Sequence, residues 1–309
     1  MSIPHKKTVI IIAGPTAVGK TSVAIALAKH FQTEIISADS RQCFKELNIG
    51  VARPSVKELN EVKHHFIATH PIAAGSVQEE LNAASFEQYA LQKTNELFVT
   101  HDKVIMVGGT GLYIKAFCEG LDDIPEVKPE IRSQITEMYK LKGLQWLQNE
   151  MKKKDPDFFK VGEIKNPQRL MRALEVIEST GKSILEYRKS EKAIREFTII
   201  KIGLELPKKE LNRNINERVD KMIEAGLLEE VQSLLSFKHL NALQAVGYRE
   251  IFEHLIRGTA LTDTIEEIKK NTRHYAKRQM TWFKKDKELE WFHPREFEKM
   301  IRLIDSKAS

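Results

Sequence analysis

The run Gly14-Pro15-Thr16-Ala17-Val18-Gly19-Lys20-Thr21 constrains this chain more than any other segment. It has the spacing G-x-x-x-x-G-K-[ST], with an apolar run at residues 8–13 leading in and a helix-forming run at 21–31 leading out. Strand, glycine-rich loop and helix in that order let backbone N–H groups turn inward onto phosphate oxygens. The helix N-terminus and the Lys20 ammonium add positive charge, and the Thr21 hydroxyl is placed to hold Mg²⁺. The loop therefore predicts a bound polyphosphate, without saying which one.

The residues that follow continue the pattern. Residues 34–37 read as a short strand ending at Ala38-Asp39-Ser40, residues 85–99 as a helix, and 103–107 as an apolar strand closing into Gly108-Gly109-Thr110-Gly111. Near-continuous apolar strands alternating with helices describe a parallel sheet buried on both faces, with ligands at the carboxyl ends of its strands. The texture changes near Leu121. From Pro129 to about Glu196 the chain reads as helical and heavily charged, with breaks at Asp155-Pro156, Asn166-Pro167 and Gly181. A strand is expected at 197–206, then helices to the end apart from a short strand at 289–292. The predicted class is α/β: a P-loop NTPase-like parallel sheet core, residues 1–121 and 197–309, with a helical insertion domain at 122–196.

Composition excludes several classes. With 41% hydrophobic and 30% charged residues, the 309-residue chain reads as an ordinary globular protein. Two cysteines, Cys43 and Cys118, argue against a disulfide framework or a zinc module and for a reducing compartment. Residues 1–7 lack the features of a signal peptide and no stretch has the length of a membrane span, so a cytoplasmic protein is expected. His64-His65 have no further ligands at metal spacing, and Gly181-Lys182-Ser183 is not a second phosphate loop because Val176 stands where glycine is required.

A P-loop enzyme acting on ATP usually carries an acidic residue at the end of a neighbouring strand. Here the strand at 103–107 ends in Gly-Gly-Thr-Gly. The available carboxylate is Asp39, at the second strand's end, where it would face an incoming nucleophile as a general base; a turn-forming Asp would look the same in sequence. Thr110 reads either as a turn residue or as a hydroxyl that orients a nucleophile. Two helical clusters have the character of nucleic-acid surfaces. One is Gln168-Arg169-Leu170-Met171-Arg172, with Leu170 and Leu174 inward. The other places Lys269, Lys270, Arg273, Lys277 and Arg278 along one side, with Tyr275, Trp282 and Phe283 interleaved.

Together these motifs resemble the tRNA dimethylallyltransferases (tRNA isopentenyltransferases) over nearly the whole chain. The resemblance is carried by the phosphate loop, Ile-Ser-Ala-Asp-Ser-Arg-Gln (36–42), Asn-Ile-Gly-Val-Ala-Arg-Pro (48–54), His64-His65 and Val-Gly-Gly-Thr-Gly-Leu-Tyr (107–113). It continues in Asn-Pro-Gln-Arg-Leu-Met-Arg-Ala-Leu-Glu (166–175), Asn-Glu-Arg-Val-Asp-Lys-Met (216–222), Val-Gly-Tyr-Arg-Glu (246–250) and Thr-Arg-His-Tyr-Ala-Lys-Arg-Gln (272–279). Phe44 stands where Tyr is common, Val51 where Thr is common, the usual Asp after His65 is missing, and no cysteine follows Cys118 to build an appended zinc finger.

The resemblance implies dimethylallyl diphosphate as donor and N6 of adenosine 37, beside the tRNA anticodon, as acceptor. It implies that Gly14 to Thr21, with Arg218 and Mg²⁺ near Thr21, stabilise the departing diphosphate. Asp39 would be the base and Thr110 would help to position it or the amine. Contacts with tRNA are implied for Asp39, Ser40, Arg41, Gln42, Thr110, Arg132, Gln168, Arg169, Leu170, Met171, Arg172, Gln244, Ala245, Val246, Gly247, Tyr248 and Arg249, in a monomeric enzyme. The alternatives are a P-loop small-molecule kinase using ATP, or an RNA-binding protein that only senses a nucleotide.

Overall fold

The computed structural model describes residues 6–72, 81–188 and 191–308. Five of the basic-tipped N-terminal residues, 1–5, lie outside them. The chain divides into two compact units: Met1–Cys118 with Arg195–Ser309, and Glu119–Ile194.

Six strands form the sheet of the first unit: β1 (Thr8–Ala13), β2 (Ile35–Ser37), β3 (His64–His65), β4 (Lys103–Gly108), β5 (Thr198–Leu204) and β6 (Glu290–Phe292). Their spatial order is β3-β2-β4-β1-β5-β6 and every pairing is parallel. β1 lies between β4 and β5, in register from Thr8↔Lys103 to Ala13↔Gly108 on one side. Its apolar run has no solvent-facing side. Val9, Ile11 and Ala13 pack with Phe86, Ala90 and Phe117 from the helices Ala83–Leu97 and Gly111–Glu119. Ile10 and Ile12 pack with Leu27, Ala28 and Ile304 from the helices Lys20–His30 and Phe297–Ala308. A third cluster, built around Tyr248, Leu227, Val231 and Ile268, joins the later helices of this unit.

β3 is missing from the sequence reading. Two residues carry no detectable periodicity; they pair with β2 as an edge, and His65 Nε2 lies 2.5 Å from Glu34 Oε2.

The second unit is helical by its own core, in which Ile135, Leu147, Met151, Phe158, Leu170 and Leu174 meet. The expected breaks are true helix boundaries. Asp155 caps the helix Pro156–Val161 through the Phe158 N–H (2.9 Å) and also accepts the Ser183 hydroxyl (2.6 Å). Asn166 caps Pro167–Thr180, and Gly181 ends it in the left-handed region. Gly143 interrupts the helix Pro129–Lys154 with φ 72°. Helix does not extend to Glu196 as expected; regular structure stops at the short 3₁₀ turn Ile184–Tyr187. Beyond it the described residues offer no apolar stripe to bury, and Ile194 is almost wholly exposed. Among the described residues no helix is long and apolar enough to cross a membrane.

Because β1 is enclosed on both faces, truncating it leaves a cavity that the sheet cannot collapse. Ile12→Ala is expected to cost about 2–5 kcal/mol of unfolding free energy. A urea titration reads this as a lower midpoint with an unchanged slope.

Candidate active site

The site forms where β1, β2 and β4 end side by side. β1 runs into Gly14, whose φ is +150° and where an added Cβ would lie 2.7 Å from the Leu204 carbonyl of β5. Ala17 (φ 63°) and Gly19 (φ 98°) curl the loop back on itself, and Gly19 starts the helix Lys20–His30. The first N–H groups of that helix have no intrahelical partner and form an anion-facing end. Lys20 Nζ folds over the loop and donates to the carbonyls of Gly14 (3.0 Å) and Pro15 (2.7 Å).

Two side chains from the helix Lys208–Glu224 brace this loop. Arg218 Nη1 donates to Thr16 Oγ1 (3.1 Å) and Asn214 Nδ2 to the Ala17 carbonyl (3.4 Å). Arg218 is thus beside the loop; the family resemblance implied it among the donor-binding residues. Burial, with the neighbouring Arg218 guanidinium adding to it, brings the Lys20 pKa down to about 7; Asp39 opposes the shift. Burial also lowers the Arg218 pKa, against the pull of Asp39 and Glu58.

β2 delivers Asp39. Its Oδ1 accepts from the N–H groups of Arg41 (2.9 Å) and Gln42 (3.2 Å), so the turn-forming role is real; Oδ2 takes no part in that turn. β4 ends against the same turn. Thr110 N donates to the Ala38 carbonyl (3.3 Å), and Thr110 Oγ1 accepts from Ser40 N (3.0 Å). Thr110 therefore holds the turn carrying Asp39, while its own side chain is not part of the cavity wall.

A cavity of about 690 Å³, within the first unit, is lined by Thr16, Ala17, Gly19, Lys20, Thr21, Asp39 and Arg218. Ser40, Arg41, Gln42, Gln244, Ala245, Val246, Gly247 and Arg249 face it as well. Gly14, Pro15 and Val18 shape the loop from outside the wall. Gln279, Tyr275, Arg278, His64 and Arg53, which the sequence reading did not assign to the site, also line it. Tyr275 and Arg278 had a signal in the basic aromatic helix; they sit as a cation–π pair at 5.8 Å. Gln279 closes the 272–279 motif, but nothing local showed its role, because its two partners are 263 and 170 residues away. The His64 tautomer follows from its surroundings: Nδ1 lies 2.8 Å from the Val62 carbonyl, and desolvation keeps the ring neutral by lowering its pKa.

Three implied RNA-contact residues require correction as side-chain contacts. Tyr248 is fully buried, and its hydroxyl donates to Glu230 Oε1 at 2.5 Å. Glu230 also accepts from the N–H groups of Ile49 (2.7 Å) and Gly50 (3.1 Å), so this pair anchors the loop before Arg53. Leu170 and Met171 belong to the core of the helical unit, since the 3.6-residue period turns them inward. Gln168 and Arg169 are exposed and Arg172 half-buried; Arg169 pairs with Glu163 (2.6 Å), and Arg172 and Arg132 lie 3.6 and 3.7 Å from Glu175. In the long helix Leu261–Phe283, Phe283 is core rather than a stacking surface, Lys269 pairs with Asp220 (2.8 Å), and Arg273 bonds Asn216 (2.7 Å).

Comparison with known proteins gives a consistent result. The chain is 44% identical to a tRNA dimethylallyltransferase of Cytophaga hutchinsonii over 97% of each chain. It is 48% identical to a tRNA dimethylallyltransferase of Christiangramia forsetii, covering 97% of this chain and 98% of that one. Among solved structures it superposes on a full-length tRNA isopentenylpyrophosphate transferase from Bacillus halodurans with a TM-score of 0.71 at 31% identity, covering 98% and 97% of the two chains. A eukaryotic dimethylallyltransferase acting on tRNA gives a TM-score of 0.76 at 26% identity, over 98% of this chain and 76% of that one. Residues 42–286 match the family described as IPP transferase, and the chain belongs to that family.

Proposed function

We propose that this protein transfers the dimethylallyl group of dimethylallyl diphosphate to N6 of adenosine 37 in tRNA, releasing diphosphate. The observation that carries this reading is one cavity lined both by a phosphate cradle with two cations, Lys20 and Arg218, and by the Asp39 carboxylate that follows β2. β4 brings no acidic residue; it ends in Gly108 and Gly109. That arrangement suits departure of a diphosphate and capture of one proton better than phosphoryl transfer from ATP.

The adenine amine is a weak nucleophile because its lone pair is shared with the ring. The allylic C–O bond must therefore break with strong help at the diphosphate, as the new C–N bond forms. Lys20, Arg218 and the inward N–H groups of the loop carry the charge that develops there. Asp39 takes the proton that N6 loses, and Thr110 holds the Asp39 turn in place. To reach such a cavity the adenine leaves its stack. Ser40, Arg41, Gln42, Gln244, Ala245, Val246, Gly247 and Arg249 are assigned to the acceptor side. Arg132, Arg169 and Arg172 of the helical unit are assigned to the RNA backbone, where cations meet phosphates, with the Gln168 amide as a neutral donor beside them.

Mg²⁺ suits the donor set at Thr21. Among the described residues no three His, Cys, Asp or Glu side chains gather as a metal cluster, while the Thr21 hydroxyl lies beside Lys20 in the cavity wall. An ion held mainly by substrate phosphates and water needs no more than this. When bound it would neutralise charge on the departing diphosphate.

Incubation with unmodified tRNA, labelled dimethylallyl diphosphate and Mg²⁺ is expected to label the tRNA. Absence of label together with γ-phosphate transfer from ATP would establish the kinase alternative. Asp39→Ala is expected to lower the transfer rate by about 10²–10⁴-fold, with donor affinity changed only slightly; near-normal turnover would remove Asp39 as the base. Lys20→Ala is expected to weaken donor binding itself, by roughly ten- to a hundredfold, the worth of a hydrogen bond to a charged group.

The pH dependence has a definite sign. Lys20 titrates at about 7 in the empty cradle, and a bound anion raises that value. Below pH 7 Lys20 is protonated in both states and contributes no pH dependence to binding. Above it, binding takes up a proton and affinity falls with rising pH, by at most about tenfold per unit, until the bound-state value is passed. Calorimetry at pH 8 in buffers of different ionisation enthalpy should show this uptake, and Lys20→Arg should abolish it.

A further inference from the structure

We propose that Gln279 is a positioning residue for the transfer: its side-chain amide sets the distance between the phosphate cradle and the turn that carries Asp39. This rests on the reading of Asp39 as the base.

Gln279 lies in the helix Leu261–Phe283 and is 7% exposed. Its Oε1 accepts from the Thr16 N–H of the phosphate loop at 2.8 Å, and its Nε2 donates to the Gly109 carbonyl at 2.9 Å. The partners leave one orientation of the amide, because a backbone N–H cannot accept and a carbonyl cannot donate. Both ends of a planar group are thus bound to backbone on opposite sides of the site.

The sheet does not supply this link. The ladder between β1 and β4 ends at Ala13↔Gly108. Beyond that point Gln279 joins the two loops that follow. From Gly109 the connection runs on through Thr110, whose N–H reaches the Ala38 carbonyl (3.3 Å) and whose Oγ1 receives the Ser40 N–H (3.0 Å). These bonds flank Asp39. The space for the amide is also reserved, since a Cβ on Gly109 would lie 2.3 Å from Gln279 Nε2.

The chemistry makes that spacing matter. The departing diphosphate oxygen and the attacking N6 must stand on opposite sides of one carbon, so cradle and base are tied to a fixed separation. A displacement of about 1 Å in such an arrangement costs on the order of a hundredfold in rate. Glutamate at 279 would accept from Thr16 but place a second acceptor against the Gly109 carbonyl. Methionine would match the length and leave both backbone groups unpaired.

The test is a double-mutant cycle in single-turnover transfer to tRNA. Gln279→Met and Gln279→Glu are each expected to lower the rate by about a hundredfold, while the dissociation constant of dimethylallyl diphosphate moves by less than about threefold. Gly109→Ala displaces the amide without removing it and should give the same split, which keeps the test open if Gln279→Met does not fold. Combined with Asp39→Ala, Gln279→Met should lower the rate by less than about threefold further, because the base it positions is gone. A full hundredfold loss in the Asp39→Ala background overturns the proposal, as does a loss carried wholly by donor affinity. Near-normal turnover of Asp39→Ala alone would instead overturn the base assignment on which the proposal stands.

Discussion

The close approach of Gly108 to the Ala38 carbonyl is the constraint on which the rest of the site depends. A Cβ at Gly108 would lie 2.1 Å from that oxygen, so only glycine lets the ends of β2 and β4 meet backbone to backbone. Their meeting allows Thr110 to bond Ala38 and Ser40, and those bonds fix the Asp39 turn next to the phosphate loop. A glycine also serves at Gly14, which passes beneath β5. The parallel sheet supplies the parallel strand ends; the missing side chains let those ends converge.

Convergence places charge where it is expensive. Lys20 and Arg218 share one cavity wall with Asp39, and burial acts against both cations. Six cationic side chains, Lys20, Arg41, Arg53, Arg218, Arg249 and Arg278, line the cavity with two carboxylates, Asp39 and Glu58, a deficit of negative charge that the diphosphate of the proposed reaction would fill. In the proposed reaction, the same electrostatics that lower the Lys20 pKa would favour the departing diphosphate. The helix Lys208–Glu224 contributes both Arg218 and Asn214 to the loop, so the late part of the chain completes a site begun by its first strand.

Much of this was legible in sequence because it is local. The phosphate loop is eight consecutive residues with a strand before it and a helix after it, and β2 and β4 announce themselves by apolar runs ending in polar turns. The ends of the helices in the second unit were equally plain, since Asp155-Pro156, Asn166-Pro167 and Gly181 act within one turn of chain. What was not legible depends on partners far away in sequence. Tyr248 reads like a polar surface aromatic but is buried against Glu230. Gln279 ends a recognisable motif, but its role shows only when the fold brings Thr16 and Gly109 to its two ends. The Asp39 turn was ambiguous for a different reason: one carboxylate oxygen shapes the turn and the other does not, so the turn role and the proposed base role are compatible in one residue.

The central claim is that one cavity joins the departing diphosphate of a prenyl donor to the exocyclic amine of a tRNA adenine. Nucleoside analysis after incubation with labelled dimethylallyl diphosphate tests it most directly. It would compare a normal tRNA with one that carries, at position 37, a purine without the amine. The account predicts label on N6 of adenosine 37 in the first RNA and none in the second. Label in the amine-free RNA, or at another position of the normal one, would contradict it.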